Sequence, residues 1–195
     1  ILPKSFFSRI HTFSFSEIAF EISKVLLQSA IPEHDLKKIV DRAINFDAPL
    51  KNISEGVYTL ELFHGPTLSF KDFGARFMAQ LMGYFVQQRE QILNILVATS
   101  GDTGSAIAHA FLGVPGIRVW ILYPKGKISG SQEKQMTTMG DNITALEIEG
   151  TFDDCQRLVK QAFTDHELRQ KLALTSANSI NIARLIPQSF YYFYV

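Results

Sequence analysis

The sequence predicts an α/β fold, a parallel sheet with flanking helices, behind a helical N-terminal region. Three observations carry this. From Val57 onward, short apolar runs alternate with segments of helical spacing, the order that builds a parallel sheet through right-handed crossovers. The run 92–98 is short, apolar and β-branched, as a buried strand is. The first fifty residues show helical periodicity, so the chain divides into a helical region over 1–50 and an α/β portion over 51–195.

The elements follow in order. Residues 14–29 place Phe15, Ile18, Phe20, Ile22, Val25 and Leu26 at helical spacing, with Ser14 or Ser16 as cap and Glu17 in the first turn. A second helix starts at Pro32, a residue suited to a first turn, and runs to about Phe46. Residues 48–56, with Pro49 and Gly56, read as a linker. A strand is expected over 57–63, and a helix over 70–88 whose stripe of Phe73, Phe77, Leu81 and Phe85 is a core face. Strands over 92–98, 117–123 and 143–149 alternate with helices over 104–112 and 131–139, the latter closed by Gly140. Helices are expected from Thr151 to about Phe163, over 166–172, and over 180–194 with a break at Pro187.

Two segments carry chemistry. The connection after the strand over 92–98 is Thr99-Ser100-Gly101-Asp102-Thr103-Gly104-Ser105. Glycines and hydroxyls between a strand and a helix suit an anion, because free backbone amides at the helix start point toward it. An ordinary turn capped by Ser100 or Asp102 would look the same. The loop lacks the Gly-Lys-[Ser/Thr] ending of a P-loop and the Gly-x-Gly-x-x-Gly of dinucleotide sites. In such sheets ligands bind beyond the carboxyl ends of strands, where this loop falls. The second segment is Lys71, in Gly65-Pro66-Thr67-Leu68-Ser69-Phe70-Lys71-Asp72-Phe73. A lysine flanked by rings and drawn partly out of water is the type of amine that forms Schiff bases. A surface lysine with its stem over apolar neighbours is the plain alternative.

Four motifs in order, the run 61–80, the loop 99–105, Leu122-Tyr123-Pro124-Lys125-Gly126-Lys127-Ile128-Ser129, and Ser176-Ala177-Asn178-Ser179-Ile180-Asn181-Ile182-Ala183-Arg184-Leu185, resemble those of threonine synthases of the bacterial and fungal type. The likeness is sharpest from Glu61 onward. It implies the tryptophan-synthase-β-like, fold type II architecture of pyridoxal-phosphate enzymes, with 51–195 a portion of the catalytic domain. It implies pyridoxal 5'-phosphate held as a Schiff base on Lys71, beside Phe70 and Asp102, and conversion of O-phosphohomoserine and water to threonine and phosphate. Thr99, Ser100, Gly101 and Thr103 would then take the substrate carboxylate. Asp102 stands where many relatives carry Asn, and a carboxylate there would repel the cofactor's phenolate oxygen unless a proton is shared. Lys127, Asn178, Ser179, Asn181 and Arg184 are candidates for the phosphate of the substrate, with Lys125 and Ser129 also in reach of the argument. Lys125 and Lys127 read equally as solvated loop charges, and Asn178 and Asn181 as helix caps. His64 could shuttle a proton or serve as a hydrogen-bonded structural residue. Family chains are more than twice as long, and their cofactor-phosphate loop lies further along. The chain therefore reads as a fragment or the given part of a longer protein, inactive alone.

Composition bounds the alternatives. Nineteen basic side chains balance nineteen acidic ones, so no general field draws nucleic acid or an acidic membrane face. The lone cysteine, Cys155, allows no intrachain disulfide and reads as a buried small residue; five histidines show no ligand spacing, so no metal site is expected. No apolar stretch is long enough for a bilayer, and a cytoplasmic enzyme is expected. Two other functions remain open: another fold type II lyase such as an amino-acid dehydratase, and a non-catalytic binding protein of the same family.

Overall fold

The computed structural model describes residues 2–87 and 91–195. The N-terminal region holds three helices, α1 (Lys4–Arg9), α2 (Phe15–Leu27) and α3 (Glu33–Ala43). Ser14 starts α2, its hydroxyl accepting the Glu17 amide while the Glu17 carboxylate accepts the Ser14 amide at 2.7 Å. This reciprocal cap satisfies two donors that helix geometry leaves free. The buried faces, Phe15, Ile18, Ala19 and Ile22 of α2 and Leu36, Ile39, Val40 and Ala43 of α3, repeat at helical spacing.

The stretch expected to be a linker is instead a strand. β1 (Leu50–Ser54) pairs antiparallel with β2 (Val57–Leu60), Leu50 opposite Leu60 and Asn52 opposite Tyr58. Gly56, at φ 72°, takes the left-handed turn position. The hairpin escapes a periodicity reading because neither strand buries a face, so no alternation of apolar and polar residues marks it. The strand expected over 57–63 thus ends at Leu60 and lies outside the parallel sheet.

α4 (Lys71–Val86) is the axis of the core. The expected end of this helix at Gln88 lies outside the described residues. Phe73 meets Phe15 of α2 at 5.9 Å between ring centroids, Phe46 at 4.6 Å and Tyr191 at 5.3 Å. Phe77 meets Phe190 edge-on at 5.6 Å. Offset and edge-on rings at such spacings add to the burial of their area. The N-terminal helices therefore share one core with the α/β part. Arg76 ties them further, donating to the carbonyls of Arg42 and Ala43.

Beyond α4 come β3 (Leu93–Ala98), α5 (Asp102–Phe111), β4 (Ile117–Pro124), α6 (Gly130–Thr137), β5 (Ile143–Ile148), α7 (Phe152–Thr164), α8 (His166–Lys171) and β6 (Ala173–Thr175). The four strands form one sheet in the order β5-β4-β3-β6, every pair parallel. Leu93 pairs with Ile117 on one side and Ala173 on the other. The chain steps from β3 out to β5 and then returns past both to β6. With right-handed crossovers, that reversal sets α5 and α6 on one face and α7 on the other. β6 was not expected, because three residues are too few to show a period. The helix expected over 180–194 is broken as anticipated: α9 (Ile182–Leu185), a 3-10 turn over Ile186–Ser189 that contains Pro187, and α10 (Phe190–Tyr194). The terminal aromatic run finds its partners there, with Tyr194 stacked on Phe15 at 4.7 Å.

Because Phe73 touches rings from three separate segments, Phe73→Ala should cost about 3–5 kcal/mol in chemical denaturation. A loss below about 1 kcal/mol would show that this aromatic cluster is not the core's centre.

Candidate active site

All four connections that leave the carboxyl ends of β3, β4, β5 and β6 open on one edge of the sheet. The reversal of strand order falls between β3 and β6, where the two flanking segments part and leave a crevice. The loop after β3 is organised by Thr99, which is 1% exposed. Its hydroxyl accepts the amides of Gly101 at 3.0 Å and Gly104 at 2.8 Å and donates to the Gly101 carbonyl. Thr99 therefore shapes the loop from within, and its hydroxyl is not free for a ligand. Gly101 stands at φ 144°, a backbone conformation open to glycine. Ser100 and Asp102 are exposed, and neither side chain caps α5.

Lys71 begins α4 and reaches this loop. Its Nζ lies 3.5 Å from Asp102 Oδ2 and 4.5 Å from the centroid of the Phe70 ring. The lysine side chain is 23% exposed and Asp102 50% exposed. Only one of the two neighbouring rings covers the amine, because Phe73 is turned wholly into the core. Asp102 is held from its other side by Gln132 of α6, whose Nε2 donates to Oδ1 at 2.5 Å. The loop leading to Lys71 is fixed by Asp72, a fully buried carboxylate that accepts the Thr67 amide at 2.8 Å and the Thr67 hydroxyl at 2.6 Å. Gly65 lies against it so closely that a Cβ would come within 2.5 Å of Asp72 Oδ2. Leu68, at φ 57°, completes this turn in a left-handed conformation uncommon for its type.

The crevice itself is a cleft of about 770 Å³. Ala98 and Thr103 form one wall, residues 175–181 with Arg184 another, and α7 a third. Arg184 is 6% exposed. Its Nη1 donates to the Ala177 carbonyl at 2.8 Å, and its Nε is buried with no partner. Burial lowers its pKa from the ordinary arginine value, yet a guanidinium stays charged in proteins. A buried cation with a free donor is costly until an anion reaches it. The lysine helix and the arginine segment touch: a Cβ on Gly74, three residues past Lys71, would lie 3.1 Å from the Arg184 carbonyl.

Asn178, Ser179 and Asn181 line the same cleft, as expected. Their side chains also serve the backbone. Asn181 Oδ1 accepts the Ala183 amide, and Asn178 Oδ1 accepts the Ile180 amide and the Ser179 hydroxyl. The helix start expected near Ile180 falls at Ile182. Lys127 is exposed in the turn after β4 and does not line the cleft, and Lys125 pairs with Glu149 at 2.7 Å. Ser129 caps α6. His64 bonds Glu61 at 2.8 Å and stacks on Phe63, a structural arrangement. Cys155 is buried, and burial pushes its thiol's pKa up. Among the described residues no group of acidic, histidine or cysteine side chains could hold a metal ion, and no helix is long and apolar enough to cross a membrane.

Sequence reasoning passed over Asp72 and Gln132. Gln132 was open to discovery: Ser129 followed three residues later by Gln is the signature of a reciprocal helix cap. Asp72 had no such signal, since its partners lie in an irregular turn.

A lysine at a helix start, a glycine-hydroxyl loop beside it and a buried arginine in the switch-point crevice lie at the carboxyl edge of the sheet. Residues 46–185 match the family model of pyridoxal-phosphate dependent enzymes, and the chain belongs to that family. Within it, the chain is similar to threonine synthase of Serratia marcescens, 55% identical over 88% of this chain and 40% of that protein. It superposes on the crystal structure of threonine synthase from Escherichia coli with a TM-score of 0.88 and 48% identity, over 99% of this chain and 45% of that one. A pyridoxal-phosphate-bound threonine synthase from Brucella melitensis gives 0.89 at 41% identity, over 95% of this chain and 42% of that one. The chain thus spans less than half the length of these relatives.

Because Thr99 answers two buried amides, Thr99→Val should destabilise the protein by about 1–3 kcal/mol, while Thr99→Ser keeps most of that. Equal stability of the two variants in urea titration would contradict the loop-organising role.

Proposed function

We propose that this chain forms the lysine-bearing part of a threonine synthase, an enzyme that converts O-phosphohomoserine and water to threonine and phosphate. The observation that carries the reading is the buried, unpaired Nε of Arg184 at a cleft whose neighbouring helix begins with Lys71. The likeness to threonine synthases supports it. The residues present suit pyridoxal phosphate: an amine that is partly covered yet reachable, an aromatic ring under it and, beside it, a helix start that no side chain caps. Lys71 would hold the cofactor through Nζ, flanked by Phe70 and Asp102. When bound, the cofactor supplies an electron sink for negative charge at the substrate's α carbon.

The chain's own residues do the rest. Lys71 Nζ would take and return protons at the α and β carbons of the substrate. Ser100, Gly101 and Thr103 receive the substrate carboxylate at the start of α5, where amide dipoles favour an anion. Arg184, with Asn178, Ser179 and Asn181, receives the phosphate that leaves the γ carbon, since a guanidinium fork matches phosphate oxygens. Lys127 has no part in this seat. Activity belongs to the assembled enzyme, and residues 1–195 alone are expected to be inactive.

Threonine formation from O-phosphohomoserine by the full-length protein is the direct test; ammonia release from serine or threonine instead would establish a dehydratase. Lys71→Arg should abolish turnover, and native rates from it would end the proposal. Arg184→Lys should raise KM for O-phosphohomoserine by about tenfold or more, because a bidentate fork becomes a point charge. An unchanged KM would remove Arg184 from the phosphate seat.

A further inference from the structure

The contact between Lys71 and Asp102 is too long to hold the carboxylate by itself. At 3.5 Å with a half-exposed acid, it leaves Asp102 free to rotate into water. The short bond to Asp102 comes from Gln132. We propose that Gln132 is a positioning residue for the Lys71 amine: its Nε2 clamps Asp102 Oδ1, which turns Oδ2 toward Nζ and fixes one negative charge at a set place beside the amine. This deepens the reading of Lys71 as the functional amine and rests on it.

The geometry permits one orientation of the Gln132 amide. Its Oε1 accepts the Ser129 amide at 3.2 Å and the Ser129 hydroxyl at 2.9 Å, so its NH2 must face Asp102. Gly101 provides the space, for a Cβ there would come within 2.6 Å of Nε2. The side chain therefore joins three segments, the turn after β4, the loop after β3 and the start of α4, into one hydrogen-bonded path: Ser129 to Gln132, Gln132 to Asp102, Lys71 to Asp102. A glutamate could not replace it in this role. Glutamate would cap α6 equally well, but it would set a second carboxylate against Asp102 and leave Oδ1 without its donor.

That difference separates positioning from capping. The test is competitive acetylation of the full-length protein, free of cofactor, at pH 8.5, with each lysine's rate read by peptide mass spectrometry. In Gln132→Glu the added negative charge holds the Lys71 ammonium, so Lys71 should acetylate about tenfold more slowly while other lysines keep their rates. The α6 cap survives in this variant, so circular dichroism should show it folded at the assay temperature. The double variant Asp102→Asn with Gln132→Glu exchanges donor and acceptor and restores a single hydrogen-bonded charge; its Lys71 rate should recover most of the loss. An unchanged Lys71 rate in Gln132→Glu, or no recovery in the double variant, would overturn the proposal. Borohydride trapping of pyridoxal phosphate on native Lys71 is read separately. Failure there would refute the cofactor assignment, while the acetylation rates still decide the role of Gln132.

Discussion

The site depends on β3 having a parallel partner on each side. β4 pairs along its whole length, and β6 pairs with its first three residues only. Both neighbours run the same way, so every loop that follows a strand emerges at one edge. The short β6 ends early, and the chain after Thr175 drops into the space beside the carboxyl end of β3. That single register brings residues 175–184 opposite Thr103, more than seventy positions earlier in the chain. A one-residue slip of β6 would turn its alternating side chains to the opposite faces and displace Arg184 from the cleft.

Two kinds of charge meet at this edge, and they are handled differently. Arg184 is buried, bonded once to a backbone carbonyl, and has no acidic partner among the described residues. Lys71 and Asp102 are opposite charges near the surface, where water weakens their attraction. Arg184 lines the cleft, whereas Lys71, Phe70 and Asp102 meet beside it and do not line it. Asp72 serves this site through its hydrogen bonds to Thr67. Its carboxylate is spent on Thr67, which secures the turn that delivers Lys71 to the helix start.

The parallel sheet was legible because β3, β4 and β5 are apolar, β-branched and separated by helical spacing. β2 falls within the strand expected over 57–63, but β1, read as a linker, was not legible, since a fully exposed strand lacks the buried alternation that identifies one. β6 was too short to carry a pattern, although its last residue, Thr175, lines the crevice. Among candidate residues, Lys71, Asp102 and Phe70 do come together, and Thr103, Asn178, Ser179, Asn181 and Arg184 line one cleft. Lys127 is exposed in the turn after β4 and does not line this cleft, since charge alone does not say which way a turn faces. Thr99 was assigned to a ligand, but its hydroxyl had a nearer obligation to two amides two and five residues ahead. Gln132 shows the converse: a local helix signal was present, and its long-range partner Asp102 could be found only in three dimensions.

The late arrival of β6 has a consequence for biosynthesis. A ribosome delivers β3, β4 and β5 first, and these can stack with α5 and α6 while α7 is still emerging. The arginine seat cannot exist until residues beyond 175 have returned across two finished strands. Such a long-range closure is slow compared with local helix formation. Until it happens, the nascent polypeptide exposes the naked flank of β3, and this unpaired edge is the surface a chaperone would have reason to guard.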